Sequence, residues 1–209
     1  MKLPLSFYER EDALAIAKDL IGKVLLTNVE NELTGGIIVE TEAYLGPEDR
    51  GSHAFNNKRT GRNEMMFHSG GFVYMYICYG IHDMLNIVTG KKDIPHAILI
   101  RAIEPTVGLE IIKMRRENCK QSFKLCQGPG SLAKALGLTK LHNGIDLKGN
   151  TIWIEDHGIS FKDDDIIAAP RVGMNFEGEF KTVPWRFLVK NNKFVSRPNY
   201  GNIKSEVQK

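Results

Sequence analysis

Much of this chain is cut into short runs of β-branched and aromatic residues, most of them joined by stretches too brief to hold a crossover helix. Val24–Val29, Gly36–Tyr44, Phe72–Tyr79, Leu85–Thr89 and Ala97–Ile103 are such runs, and Thr151–Glu155, Ile166–Ala169, Arg186–Val189 and Lys193–Ser196 follow. Residues of these types favour strands. Parallel strands need a long crossover, so short connections point to antiparallel pairing. Thr34-Gly35-Gly36 is expected to turn the first hairpin. Helices are fewer. Ser6 and Glu9 have capping-box spacing ahead of Ala13, Ile16, Ala17, Leu20 and Ile21, which predicts one helix from Phe7 to Ile21, stopped by Gly22. Leu109–Glu117 and Ser131–Leu136 complete the set, the last opened by Gly128-Pro129-Gly130. The fold class is therefore α+β around an antiparallel sheet. With 209 residues, 42% of them hydrophobic, the chain can form one domain with its own core. Residues 1–209 are expected to be that single domain, with about the last ten as a loose tail.

Net charge is +3. That permits an anionic partner without demanding one, so any nucleic-acid footprint must be local. No stretch approaches the roughly 18 apolar residues of a spanning helix, and Met1–Asp12 lacks a secretory apolar core. Cys78 lies in an apolar run and is expected in the core. Cys119 and Cys126 are expected to be free thiols in a reducing cytoplasm.

Three features break the apolar pattern. In a regular strand Ile38, Glu40, Glu42 and Tyr44 share one face. Two carboxylates there fit either a solvated face or a charged pair in a dry site. Arg101 interrupts the apolar run from Ala97 to Ile103, and a buried arginine needs a partner. Glu40 and Glu42 are the economical candidates; an exposed strand face is the alternative. Third, Tyr74 and Tyr76 share a face of their strand, with Tyr79 on the other at its end. Tyrosines so placed fit core packing, but with Tyr44 and His53 they also fit a stack around a planar base. Between these strands the irregular segment 46–71 carries His53, Lys58, Arg59, Arg62 and Asn63. Its basic residues suit phosphate contacts or plain solvation.

The order and spacing of several segments resemble the alkyladenine (3-methyladenine) DNA glycosylase family in its bacterial form. They are Val39–Asp49, His53, Tyr74–Gly80, Asn86, Leu99–Pro105, Gly128-Pro129, Ala169–Gly173 and Pro184–Phe187. The resemblance covers nearly the whole chain. It departs at Ile81-His82-Asp83, which is more polar than the mammalian segment. It implies one α+β domain around a curved sheet, a partly open barrel, with no cofactor and no metal. It also implies a cytoplasmic, nucleoid-associated monomer whose partner is double-stranded DNA with damaged bases. Glu42 would be the general base that activates water, held with Arg101 and the backbone carbonyl of Val172. Tyr44, His53 and Tyr76 would sandwich a flipped base, Asn86 would screen its edge, and Tyr79 would fill the gap in the duplex.

The chemistry coheres on general grounds. Loss of a base leaves an oxocarbenium-like sugar, which a carboxylate both stabilises and supplies with activated water. An alkylated or deaminated purine would be released to leave an abasic site. No signal for a Schiff-base lysine is present, so strand cleavage is not expected. Two rivals stand beside this. One is a hydrolase with a metal on Glu40, Glu42, His53, His82 or Asp83, although no metal motif supports it. The other is a non-catalytic module that binds distorted DNA.

Overall fold

The computed structural model describes residues 1–197; the tail expected at about 200–209 lies outside them. Eight strands form one sheet. They are β1 (Val24–Val29), β2 (Glu32–Leu45), β3 (Val73–Cys78), β4 (His82–Thr89), β5 (His96–Val107), β6 (Ile152–Glu155), β7 (Ile166–Ala169) and β8 (Arg186–Val189). All pairings are antiparallel, in the order β3-β4-β5-β2-β1-β6, with β8 branching from β2 and β7 lying on β8. The branch arises because β2 is long. Its first half pairs with β1 as far as Ile37, and its second half pairs with β8 at Glu40–Glu42. The sheet curls into an open half-barrel. Among the described residues four α-helices, α1 (Leu5–Tyr8), α2 (Ala13–Asp19), α3 (Leu109–Arg115) and α4 (Pro129–Ala135), complete an α+β fold.

Alternation along the strands separates two cores. Val73, Met75, Leu85, Ile87, Ile98 and Ile100 join Ile16, Leu20 and Leu132 from the helices in the main core. Tyr74, Val88 and Ala97 belong to a second cluster with Ala54, Met66 and Phe67 of segment 46–71. That segment is thus anchored by its own apolar residues, and it winds through short 3-10 turns. Buried Asn63 pins it further, donating to the carbonyls of His53 at 2.9 Å and Lys58 at 2.8 Å.

Several local expectations are corrected. The helix expected over Phe7–Ile21 is two helices, because Asp12 caps a new one: its carboxylate accepts from Ala15 N at 2.9 Å. The hairpin turn is not at Thr34-Gly35-Gly36. It is Glu30-Asn31, both at positive φ, between paired Val29 and Glu32. Gly35 and Gly36 serve close approach instead, since a Cβ would lie 2.3 Å from Leu25 O and 2.1 Å from Glu104 O respectively. Residues 193–196 form a turn and bend rather than a strand. The carbonyls of Lys193 and Val195 accept from the Gln127 side chain, and Ser196 N donates to Glu40, so no ladder forms there.

Candidate active site

Register brings the candidate residues together. Tyr74 pairs with Asn86, Asn86 with Leu99, and Leu99 with Glu42, so one cross-strand row runs from β3 to β2 on one face. Thr41 faces the other way and donates to Ala17 O of α2 at 2.8 Å. The alternation expected from Ile38 to Glu40 is broken, however. The β2–β5 register shifts on either side of Glu40, leaving Val39 and Arg101 without Cα partners. Ile38 accordingly joins the main apolar core. A bulge re-aims side chains, and here Arg101 meets both Glu40 and Glu42 of β2.

Glu40 and Glu42 are fully buried, so the solvated-face alternative does not hold. Glu42 Oε1 accepts from Val172 N at 2.7 Å. Its Oε2 accepts from the Tyr44 hydroxyl at 3.0 Å and lies 3.2 Å from Arg101 Nη1. Val172 therefore meets Glu42 through its N–H, where the expectation concerned its carbonyl. Glu40 is more enclosed. Its Oε1 accepts from Arg101 Nε and Arg186 Nε, both at 2.7 Å, and from Ser196 Oγ at 2.8 Å; Oε2 accepts from Ser196 N at 2.7 Å. Burial works against the Glu40 charge, yet both arginines and the Ser196 N–H together hold its carboxyl below the usual range. Among the described residues no three His, Cys, Asp or Glu side chains cluster to hold a metal ion.

Beside this network lies a small pocket of about 20 Å³, lined by Tyr44, His53, Met66, Tyr74, Tyr76 and Asn86 among others. It shares Tyr44, His53 and Tyr76 with an open cleft of about 480 Å³, whose walls include Arg62, Tyr79, Arg101 and Val172. The His53 ring meets Tyr76 edge-on at 4.5 Å between centroids, and its Nδ1 and the Tyr74 hydroxyl bond at 2.8 Å. Asn86 donates to the carbonyls of Tyr74 and Met84 at 3.2 and 3.3 Å, which fixes its amide against the pocket. Cys78, expected in the core, is half-buried on the cleft wall because β3 ends there.

Burial, and then the Arg62 charge, lower the His53 pKa from 6.5 to about 4. The folded chain thus keeps this ring neutral where the unfolded chain would protonate it. Between pH 6.5 and 4 the unfolded state binds more protons, so stability falls as the pH falls. Half-buried His96, also shifted down by desolvation, contributes in the same direction. In denaturant titrations between about pH 7 and 5, His53→Gln is expected to flatten this slope. An unchanged slope would mean the ring titrates normally.

Tyr79 is no core residue: it is 79% exposed. Ile81 N donates to Cys78 O at 3.1 Å, and Tyr79 and Gly80 between them have φ of 50° and 74°. A tyrosine in the left-handed region costs about 1–2 kcal/mol. Such strain at an exposed tip is typical of functional positions.

Sequence reasoning missed four supporting residues. Arg186 and Ser196 complete the Glu40 network. Arg171 and Asp49 form a buried ion pair, with Arg171 also over the rings of Tyr44 at 4.7 Å and Trp185 at 5.1 Å. Arg186 carried the signal that exposed Arg101, a cation inside an apolar strand. Ser196, Asp49 and Arg171 carried none.

A model of the methylpurine-DNA glycosylase family matches residues 6–193. A Chlamydia abortus protein is 45% identical over 188 residues, covering 90% of this chain and 97% of its own. A Natranaerobius thermophilus protein is 44% identical, covering 94% and 99%, and a Clostridium perfringens protein 40%, covering 94% and 100%. All three are named provisionally as 3-methyladenine DNA glycosylases. With a family match over most of its length and a buried carboxylate beside an aromatic pocket, the chain belongs to the methylpurine-DNA glycosylase family, hydrolases of N-glycosyl bonds in DNA repair.

Proposed function

We propose that this chain is a monofunctional N-glycosylase that flips an alkylated or deaminated purine, such as 3-methyladenine, out of duplex DNA and hydrolyses its bond to the sugar. The observation that carries this is the continuity of the two cavities. A small aromatic pocket shares Tyr44, His53 and Tyr76 with a cleft whose walls include Arg101 and Val172, and Tyr44, Arg101 and Val172 are the three groups that meet Glu42. Glu42 takes the proton from a water as its oxygen bonds to C1′ and the bond from C1′ to the base nitrogen breaks. A cationic alkylpurine leaves as a neutral molecule and needs no acid, whereas a deaminated purine, neutral when bound, has to take a proton from water as it leaves. The neutral His53 ring suits such a base, because an uncharged wall does not repel it, while Tyr44 and Tyr76 attract it by stacking and cation–π contact. Among the described residues no lysine lines pocket or cleft, in keeping with hydrolysis without a Schiff base. Incubation with duplexes carrying one defined lesion, followed by alkali, is expected to cut at the lesion. Binding without alkali-labile product would favour a non-catalytic DNA-binding module.

Tyr79 acts in this scheme as the wedge that fills the vacated stack. Tyr79→Asn keeps the left-handed turn and removes the ring. It is expected to stabilise the fold slightly and to slow base release from duplex far more than from single strands, where unstacking costs little. Equal loss on both substrates would remove the wedge assignment. Tyr76→Ala should slow both.

Of the basic residues in segment 46–71, Arg59 is held by Glu64 and Asp93, which leaves it less free to meet phosphate. Arg62 lines the cleft and lies over Tyr76 at 5.4 Å. Affinity for duplex is expected to fall with salt, and Arg62→Ala to lower the slope of log K against log salt by about 1. Arg59→Ala should leave the slope alone. The reverse pattern would misplace the DNA.

A further inference from the structure

Neither Glu40 nor Glu42 lines either cavity, but Glu40 is the more heavily bonded, with four hydrogen bonds ending on its carboxylate. Arg101 is where this matters. Its Nε donates to Glu40 at 2.7 Å, its Nη2 to Ser196 Oγ at 3.1 Å, and its Nη1 lies 3.2 Å from Glu42 Oε2. A guanidinium is planar, so two hydrogen bonds, from Nε and Nη2, with the ion contact of Nη1, fix its orientation. The two hydrogen-bonding anchors, Glu40 and Ser196, hold nitrogens other than the one that meets Glu42. Arg186 bonds Glu40 at 2.7 Å and the Ser196 carbonyl at 3.0 Å, tying the segment after β8 into the same cluster. The bulge that leaves Arg101 unpaired in the register removes the ladder constraint, so side-chain anchors must replace it.

We infer that Glu40, with Ser196, is a positioning residue for base release: it holds Arg101 so that Nη1 faces Glu42 and the cleft rather than folding back into the cluster. Its effect on rate passes through Arg101. This inference rests on the proposed glycosylase activity and adds Glu40 and the turn at 192–196 to the machinery. A residue with only a structural role would lower stability, and affinity with it, whatever occupies position 101.

The test is a double-mutant cycle read by single-turnover base release from the lesion duplex the wild type processes fastest. Duplex affinity and thermal melting are measured alongside. Glu40→Gln is expected to slow release on the order of 10- to 100-fold, the effect of a displaced catalytic partner, with duplex affinity unchanged. In an Arg101→Gln background the same substitution should add little further loss. An equal proportional loss in both backgrounds, a loss of affinity parallel to the rate, or a wild-type rate would overturn the inference. If Glu40→Gln does not melt cooperatively, Ser196→Ala and Ser196→Ala with Arg101→Gln carry the cycle by the same criteria, with a smaller loss expected. Wild-type protein that releases no base would instead defeat the proposed function, so the two failures are distinguishable.

Discussion

Replacing Glu42 by glutamine is expected to slow base release by about 10²- to 10⁴-fold, the range removed with a general base, while damaged duplex still binds. The reasoning is geometric. The amide oxygen of the substituted side chain would still accept from Val172 N, which Glu42 meets at 2.7 Å, so the loop at 171–173 would stay in place. The second oxygen becomes an NH₂ group facing the Tyr44 hydroxyl and Arg101 Nη1, and that group cannot take a proton from water. Pocket residues Tyr44, His53, Tyr76 and Asn86 are untouched, so the flipped base is stacked as before. Single-turnover release and fluorescence anisotropy on the same lesion duplex check both halves. A near wild-type rate, or a larger loss in Glu40→Gln than in Glu42→Gln, would name the wrong glutamate.

The second large effect is expected from Asp49→Ala. Both side chains of the Asp49–Arg171 pair are fully buried. Arg171 Nη2 donates to Asp49 Oδ1 at 2.7 Å, and Asp49 also accepts from Leu45 N at 3.2 Å and Gly51 N at 2.8 Å. Removing the carboxylate leaves an uncompensated buried cation, which costs on the order of 3–5 kcal/mol. In a domain of this size that lowers Tm by roughly 10 °C or more. The site should suffer too, because Arg171 donates to Ala43 O, stacks on Tyr44 and directly precedes Val172. Differential scanning calorimetry with a release assay below the lowered Tm would read both effects. A stability close to wild type would mean water replaces the carboxylate and the pair is not structural. By contrast Arg59→Ala, whose ion pairs lie half-exposed, should barely move Tm.

Strand positions were largely legible in the residues because β-branched runs impose their own conformation. β1, β7 and β8 begin and end where their apolar runs do. Local signals failed where one residue type serves two physical needs. Glycines at 35 and 36 indicate a turn as readily as a close backbone approach, and only the packing of β2 on β1 and β5 selects the second. Asp12 inside a helical pattern is ordinary until its carboxylate caps Ala15. Residues 193–196 have a strand's composition, but Gln127 and Glu40 claim their polar groups.

The candidate site divides in the same way. By itself the sequence determined that two glutamates and an arginine interrupt apolar runs, and that Tyr74, Tyr76 and Tyr79 lie along another. Charge in an apolar run is costly and therefore conspicuous wherever it occurs. Which acceptor each charge meets was decided only by the tertiary structure. Glu40 meets Ser196 across 156 residues, and Glu42 meets Val172 N across 130. The bulge that turns Arg101 toward both carboxylates depends on how β5 registers against β2. Pairings of that kind are set by chain crossings and by the satisfaction of buried donors and acceptors, and neither leaves a trace in local periodicity.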